Sequence, residues 1–198
     1  MKNTKSTIKM MLLAGALVAV LPACKKKGCT DPDATNYNSE AKKDDGSCTY
    51  NIIDWYTEVT IGGVVYKQVS GHITEDQTMA ASDNWILSGG VFVDNGATLT
   101  IEAGTTVNAA DDGTTPFLAV AQGGKLMACG TSGSPIIFTP IADAPSAGAW
   151  GGIILNGYAP INTGSTAEGE GGTGTYGGDD TADNSGTLCY VRVEYAGK

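Results

Sequence analysis

The chain has 198 residues, with 12 basic side chains, 21 acidic side chains and one histidine. From Cys29 onward it holds six of the basic and all 21 of the acidic residues, a net charge of −15. A body this acidic repels nucleic acid and anionic lipid, which argues against both as partners. The 28 glycines and the low share of charged residues, 17%, are typical of a β-protein with many turns.

An export signal is predicted over residues 1–23. Lys2, Lys5 and Lys9 give a basic start, and an uncharged apolar run follows from Met10 to Leu21. This run is shorter than the roughly 20 residues that a permanent transmembrane helix needs.

The apolar run ends at Leu21-Pro22-Ala23-Cys24, which resembles the lipobox of bacterial lipoproteins, although Pro22 departs from the usual small residue. The resemblance implies that Cys24 receives diacylglycerol and becomes the first residue of the mature protein. Several acyl chains on one cysteine hold a protein firmly, because each buried methylene contributes roughly 0.8 kcal/mol. The alternative is an ordinary signal peptide with a cysteine near its cleavage site.

A small polar module is predicted within residues 24–50. Cys29 and Cys48 bracket an acidic loop in an exported chain, which predicts a disulfide between them. The loop also offers enough side-chain oxygens for Ca²⁺, which prefers six or more. The candidate ligands are Asp31, Asp33, Asn36, Asn38, Asp44 and Asp45. Their spacing is not that of an EF-hand, and the alternative is an acidic spacer that holds the main domain off the membrane.

Residues 28–48 resemble short modules of the pattern GCTDPxAxNYNxxAxxDDGSC in surface proteins of Bacteroidota, which look somewhat like the calcium repeats of thrombospondins. The resemblance implies that the lipid anchor lies in the outer membrane. Acidic residues after the lipidated cysteine often direct such lipoproteins to the cell surface. Because lysines occupy positions 25–27 here, the periplasmic and surface faces both remain open.

Residues 51–198 are predicted to form the main domain, because the chain repeats itself there. Residues 91–99 return as 118–126 with an offset of 27, which stacks Val93 on Val120 and Leu99 on Leu126. Residues 103–105 return as 129–131 with an offset of 26, which predicts one residue lost in the turn between them. The repeat predicts an all-β fold, a right-handed parallel β-helix or solenoid.

Further strands are expected at residues 136–139, 151–157 and 188–195, each bounded by Gly, Pro or Asn. Residues 162–186 show no periodicity and predict a long projecting loop. Few neighbouring strands share a two-residue hairpin signal, which argues against a β-sandwich. Cys129 and Cys189 could form a second disulfide, but Cys129 is expected to point outward and Cys189 inward. A bulge near Tyr190 would reconcile them.

The segments GATLTIEAGTTV, GGKLMACGTSGSPIIFTP, GAWGGIILNGYAPIN and SGTLCYVRVEYAG resemble the parallel β-helix region of large outer-membrane or secreted proteins of Bacteroidota, of unassigned function. The resemblance covers roughly residues 60–198. Since those relatives continue further, we expect an incomplete last coil here: either the chain is a fragment or something else caps it.

No catalytic residue is predicted. His72 has no nucleophile motif near it. Carboxylates suited to sugar chemistry lie in Gly-rich loops, whereas catalytic carboxylates need a rigid setting. They are Asp111, Asp112, Glu168, Glu170, Asp179 and Asp180, with Arg192 as a candidate lyase base. The alternative for Arg192 is an outward ion pair with Glu194 on a strand. Trp85 and Trp150 could stack on sugars or fill core corners.

These features predict a membrane-anchored, non-catalytic solenoid that serves as an interaction or adhesion scaffold, with a glycan or protein as its extracellular partner. Calcium is the one cofactor left open. The alternative is a carbohydrate-active β-helix protein, either a polysaccharide lyase, a glycoside hydrolase or a glycan-binding module.

Overall fold

The computed structural model describes residues 26–30, 32, 34, 36–49 and 55–198. The predicted export signal, the lipidation residue Cys24 and the candidate ligands Asp31 and Asp33 lie outside the described residues. Within the described part of the chain, no helix is long and apolar enough to cross a membrane. The chain divides into two compact units, residues 1–53 and 54–198.

The first unit contains the cysteine-bracketed module. Cys29 and Cys48 form the predicted disulfide, with their Cα atoms 4.7 Å apart. Cys29 and Ala34 are the buried apolar residues of the module's described part. The amide of Asn38 donates to the Cys29 carbonyl at 2.9 Å, which fixes the loop beside the disulfide. So small a core needs the covalent bond for its stability.

The second unit is all β in its described residues, apart from one 3₁₀ turn at Glu170–Gly172. Its strands are β1 (Thr57–Ile61), β2 (Val64–Ile73), β3 (Gln77–Met79), β4 (Trp85–Val93), β5 (Thr98–Ile101), β6 (Thr106–Ala109), β7 (Phe117–Val120), β8 (Lys125–Cys129), β9 (Ile136–Pro140), β10 (Gly152–Leu155), β11 (Ala167–Glu168), β12 (Thr175–Tyr176), β13 (Gly186–Cys189) and β14 (Val191–Val193).

Each coil of the second unit passes through three faces in a fixed order. The first face contains the beginnings of β2 and β4, followed by β6, β9 and β14. The second contains the ends of β2 and β4, followed by β7 and β10. The third contains β3, β5, β8 and β13. Neighbouring strands within each face are parallel, so the predicted parallel β-helix is confirmed, and its right-handed sense stays a prediction.

The predicted register of the repeat is confirmed. Val93 pairs with Val120 and Leu99 with Leu126. At the corner between these strands, the amide of Gly96 donates to the carbonyl of Gly123 at 3.1 Å. Both glycines have positive φ, 86° and 80°, a conformation that favours residues without a Cβ. The 27-residue repeat therefore comes from one corner geometry used twice.

The predicted loss of one residue in the next turn is wrong. Ile101 pairs with Ala128, but Thr106 pairs with Ile137, so the later corner is longer than the earlier one. Thr131 and Ser134 form a tight turn there, in which each residue's amide donates to the other's carbonyl. This turn satisfies its own backbone groups, so the extra residues are accommodated without disturbing the stack.

Aliphatic residues of the three faces alternate inward and form a continuous core. In β8, Leu126 and Ala128 are buried, whereas Lys125, Met127 and Cys129 are exposed. Each inward residue lies above its register partner in the preceding coil, so the core is a set of stacked columns. Two of the largest buried side chains, Trp85 and Trp150, each 1% exposed, fill wide positions within it.

Aromatic residues cover the N-terminal end of the stack. The Trp55 ring stacks on Trp85 with centroids 5.0 Å apart, and Tyr56 meets Trp85 edge-on at 5.7 Å. The ammonium of Lys67 lies over both the Tyr56 and Trp85 rings and binds Asp83 at 2.8 Å. Its hydrogen bond to Asp83 raises the pKa of Lys67. The antiparallel pairing of β1 with β2 completes this cover.

The last coil has no such cover among the described residues. β10, β13 and β14 each pair with one strand, β7, β8 and β9. Leu155, Leu188 and Val193 occupy inward register positions, yet they are 46%, 45% and 46% exposed. Their partners one coil earlier are fully buried, so the exposure follows from position in the stack and not from residue type.

Candidate functional site

A cleft lies on the second face of the solenoid, beneath the segment between β10 and β13. This loop cleft has a volume of about 700 Å³. Phe117 of β7 and Ile154 of β10 form its floor, and Thr173 and Tyr176 contribute to its wall. Glu170 and Lys198 are the charged residues of the described chain that line it.

The wall of the loop cleft is more ordered than the predicted projecting loop. β11 and β12 form a two-stranded antiparallel ladder, in which Ala167 pairs with Tyr176. The hydroxyl of Thr175 donates to the carboxylate of Glu168 at 2.5 Å, across the same ladder. The segment therefore folds into a hairpin of its own.

Two amide side chains of the stack hold this hairpin. Asn156 is 2% exposed and donates from Nδ2 to the Thr173 carbonyl at 2.6 Å. Gln122 donates from Nε2 to the carbonyls of Gly157, at 3.2 Å, and Gly177, at 2.6 Å. Sequence reasoning did not select Gln122 or Asn156. The available signal was that an amide residue precedes the corner glycine in Asn95-Gly96, Gln122-Gly123 and Asn156-Gly157.

Glycines leave room for the floor of the loop cleft. A Cβ at Gly90 would lie 2.7 Å from the Phe117 ring, and a Cβ at Gly151 would lie 2.9 Å from the Cβ of Phe117. Phe117 also meets the Phe92 ring edge-on, with centroids 5.4 Å apart. The Phe117 ring is therefore fixed by its neighbours in the coils on either side.

The candidate carboxylates do not assemble around the loop cleft. Of those that the sequence suggested, Glu170 lines it. Asp112 accepts hydrogen bonds from the Ser88 hydroxyl at 2.5 Å and from the amide and hydroxyl of Thr114. The bond from Ser88, followed by those from Thr114, lowers the pKa of Asp112. Asp180 accepts from the Ala182 amide at 2.9 Å. The bonds from Thr114 and Ala182 stabilise turns, and the bond from Ser88 joins neighbouring coils.

The candidate base and the histidine have local partners as well. Arg192 Nε lies 2.6 Å from Glu194 Oε1, and the arginine side chain is 59% exposed. His72 Nδ1 lies 2.9 Å from Asp94 Oδ1, and its ring stacks on Phe92 at 4.8 Å. Both pairs lie on the outside of the stack.

The two tryptophans considered for sugar stacking belong to the core. Trp85 and Trp150 are each 1% exposed. Their indole nitrogens donate to the carbonyls of Ala80, at 2.9 Å, and Glu194, at 2.7 Å. Of the two interpretations of these residues, the structure selects the one in which they fill the core.

A disulfide joins Cys129 and Cys189, whose Cα atoms are 4.5 Å apart. The two cysteines are register partners in β8 and β13, so both point outward, and the expected inward orientation of Cys189 is wrong. The reason is Tyr190, which turns the chain from the third face to the first with φ of 49°. This one-residue corner reverses the alternation between Cys189 and Val191.

The described candidate calcium ligands support the turns of the module. Asn38 and Asp44 each accept, through Oδ1, the amide of the residue two positions later. Asn36 Oδ1 accepts the Thr49 amide at 2.9 Å. Asp45 accepts the Ser47 amide in the same way, and hydrogen bonds from Ser47 lower the pKa of Asp45. Within the described residues, no three His, Cys, Asp or Glu side chains form a group that could hold a metal.

Comparisons with known proteins place the second unit in a family. No solved structure matches the chain. A stretch of 26 residues is 65% identical to the chloroplastic ribulose bisphosphate carboxylase/oxygenase activase of Spinacia oleracea, over 13% of this chain and 6% of that protein. The chain thus spans a small part of this relative's length. Residues 71–198 match the model of the pectate-lyase like beta helix domain. The matched stretch of this chain starts within β2 and includes the residues of the loop cleft. The chain belongs to the family of pectate-lyase like beta helix domains.

Proposed function

We propose that the protein is a lipid-anchored, non-catalytic β-solenoid that serves as an interaction or adhesion scaffold at the outer membrane of a bacterial envelope. The observation that carries the proposal is the dispersal of the candidate carboxylates. Glu170 lines the loop cleft, whereas Asp112, Glu168 and Asp180 are engaged in local turns and ladders.

Known sugar chemistry needs groups that this arrangement does not bring together. Glycosidases place two carboxyl groups about 5–9.5 Å apart, one of them with a raised pKa. The pKa of Asp112 is shifted in the opposite direction. A lyase base must accept a proton, but a guanidinium has five donors and no acceptor, and that of Arg192 is paired with the Glu194 carboxylate. These features support binding rather than bond cleavage.

The rival function is a carbohydrate-active enzyme, and the family match is the observation that favours it. The test incubates the full chain with polygalacturonate, xylan and β-glucan, with and without calcium, and measures unsaturated and reducing ends. We expect no product above the protein-free control. Product that disappears in Glu170→Gln would refute the proposal and identify an enzyme.

The lipid anchor has its own test in growing cells. We expect a labelled fatty acid to be incorporated into the full chain and not into Cys24→Ser. Cys29→Ser is the matched control, since it removes a nearby cysteine that we assign to the module disulfide, and it should keep the label. Label that persists in Cys24→Ser would contradict the anchor. Fractionation and surface proteolysis of the labelled protein decide between the two faces of the outer membrane.

Calcium binding by the module stays a prediction. Extracellular calcium modules work at roughly 10⁻⁴–10⁻³ M, so calorimetry of the full chain with millimolar CaCl₂ is the suitable measurement. Binding to the candidate ligands should be lost in Asp44→Asn/Asp45→Asn. No heat in the unsubstituted protein would contradict calcium binding, and the module would then be a spacer.

A further inference from the structure

The loop cleft combines apolar and polar surfaces in the way that small-ligand sites do. Its volume of about 700 Å³ lies within the range of about 300–1,000 Å³ that is usual for ligand pockets. Phe117 and Ile154 give an apolar floor, and Tyr176 adds a second aromatic ring from the wall. Gly169 and Gly171 also line the cleft, and the Gly169 amide donates to the Gly174 carbonyl at 2.8 Å. A ligand here would meet aromatic rings, the carboxylate of Glu170 and the ammonium of Lys198.

The loop cleft is formed before any ligand arrives. The buried amide of Asn156 holds the wall at Thr173, and Gln122 holds it at Gly157 and Gly177. The amide of Gly177 also donates to the Gly157 carbonyl at 2.9 Å. Because these hydrogen bonds already hold the wall, binding does not require the wall to be ordered first, which favours affinity.

The charge of the wall restricts the class of ligand. Residues 157–186 contain Glu168, Glu170, Asp179, Asp180 and Asp183 and no Lys or Arg. Residues 55–198 hold 15 acidic and four basic side chains, a net charge of −11. A polyanion approaching the wall is therefore repelled.

We propose that the loop cleft binds a short segment of a neutral glycan. The inference rests on the proposed non-catalytic function, to which it adds a ligand class and a place. Pyranose rings have an apolar C–H face, which fits Phe117 and Tyr176. Their hydroxyl groups are donors and acceptors that suit the glycine main chain and the Glu170 carboxylate. A neutral sugar brings no charge to be repelled.

The same surfaces fit the competing ligands less well. An acidic glycan such as a polyuronate would meet Lys198 in the lining of the loop cleft, but also Glu170 and the four other acidic residues of the wall, so repulsion outweighs attraction. A cationic peptide would be attracted by the acidic wall. Of the acidic residues of the wall, however, Glu170 is the one that lines the loop cleft, and the floor beside it is aromatic and aliphatic. Lys198 in the same lining would repel such a peptide, whereas the apolar floor suits the C–H face of a sugar ring.

The experiment is a binding titration with the purified full chain. Cellohexaose, xylohexaose and mannohexaose are the neutral probes, hexagalacturonate is the acidic probe and hexalysine is the cationic probe. Binding is followed by calorimetry and by saturation-transfer NMR. We expect at least one neutral hexasaccharide to bind more tightly than either charged probe. A charged probe that binds more tightly, or no binding of any neutral probe, overturns the proposal.

Matched tyrosine variants locate the binding. Tyr176→Ala should weaken the neutral sugar about tenfold, the usual effect of removing an aromatic contact that carries binding energy. Tyr190→Ala removes an equal side chain that is 62% exposed and outside the loop cleft, and should change affinity less than twofold. Equal losses in both variants would refute the site. Ile154→Lys, which blocks the floor, should abolish binding, and retained affinity would equally refute it.

The readouts keep this inference separate from the proposed function. Sugar fragments in the same samples would contradict the non-catalytic function while leaving the loop cleft as the binding site. Failure of every neutral probe to bind, without fragments, would remove the cleft inference while leaving the scaffold proposal.

Discussion

Removal of the Cys129–Cys189 disulfide should release the last coil of the solenoid before the rest unfolds. The bond joins residues 60 apart and crosses the whole segment that carries the loop cleft. In the loop-entropy model a closed loop of that length stabilises by about 4 kcal/mol, compared with about 3 kcal/mol for the module bond, which joins residues 19 apart. The larger effect falls on the coil that has strand partners on one side and half-exposed Leu188 and Val193 in its core positions.

The variant to compare with the unsubstituted full chain is Cys129→Ser/Cys189→Ser, and the control is Cys29→Ser/Cys48→Ser. We expect hydrogen exchange to quicken in β10, β13 and β14 in the first variant, while β4 and β5 keep their protection, since solenoids lose end coils first. The control should show unchanged exchange in all these strands. Equal protection of the last coil with and without the bond would refute the reasoning, because its one-sided packing would then suffice.

Three further outcomes follow from the stacking. Leu126→Ala should lower the free energy of unfolding by about 3 kcal/mol and Leu188→Ala by about 1 kcal/mol in denaturant titrations, because the first side chain is 1% exposed and the second 45% exposed. Equal losses would contradict the difference in burial between these two core positions. Gly186→Ala should destabilise by more than about 2 kcal/mol, because φ is 127° and its Cβ would overlap the Leu126 backbone, whereas Gly133→Ala, with open space around it, should be neutral within about 0.5 kcal/mol. Since the Asp112 pKa is lowered by folding, its contribution to stability is present above the unfolded pKa of about 3.9 and is lost as pH falls through the folded pKa. The stability difference between the unsubstituted chain and Asp112→Asn should therefore shrink below pH of about 3.9, and a difference that grows there would contradict the assignment.

The strand register could be predicted from the sequence where the 27-residue repeat and the inward–outward alternation of side chains agree. Val93 and Leu99 return at Val120 and Leu126, and each lies in a strand that alternates inward and outward. A shift of one residue would turn a whole strand inside out, so the repeat and the alternation together admit one register. The corner glycines at positions 96 and 123 agree with that register, because both need positive φ.

Corners were predicted less well, because a corner depends on local turn chemistry and not on periodicity. The turn at residues 131–134 adds length while closing its own hydrogen bonds, so it leaves no trace in the strand pattern. Tyr190 does the opposite: a single residue with positive φ replaces a whole turn and reverses the orientation of Cys189. Tyrosine is not a usual choice for that conformation, and the expected inward cysteine followed from ordinary alternation.

The loop cleft escaped prediction for a related reason. Residues 162–186 resemble a solvated loop in composition, and their order comes from side chains far away in sequence, since Gln122 reaches a carbonyl 55 residues further on. Such hydrogen bonds depend on the tertiary structure, and their local sequence shows only an amide residue next to a corner glycine. For the candidate catalytic carboxylates the sequence suggested more than the structure supports. Their residue types are those of sugar-cleaving enzymes, but their positions do not bring them together.

The proposed glycan site takes residues from both the solenoid and its insertion. The repeated coils supply a face on which Phe117 is fixed by neighbours in the coils on either side, and Ile154 lies on the next strand of that face. The insertion supplies Glu170 and Tyr176, which no repeated position provides. The family match covers both parts. In the proposed glycan site, the acidic residues of the insertion add to the negative charge of the stack and disfavour anionic sugars. Replacing Glu168, Asp179 and Asp180 by their amides should therefore raise the affinity for hexagalacturonate while leaving that for the neutral hexasaccharides unchanged, because none of the three lines the loop cleft. A parallel loss of neutral binding would show that these carboxylates hold the wall rather than select the ligand.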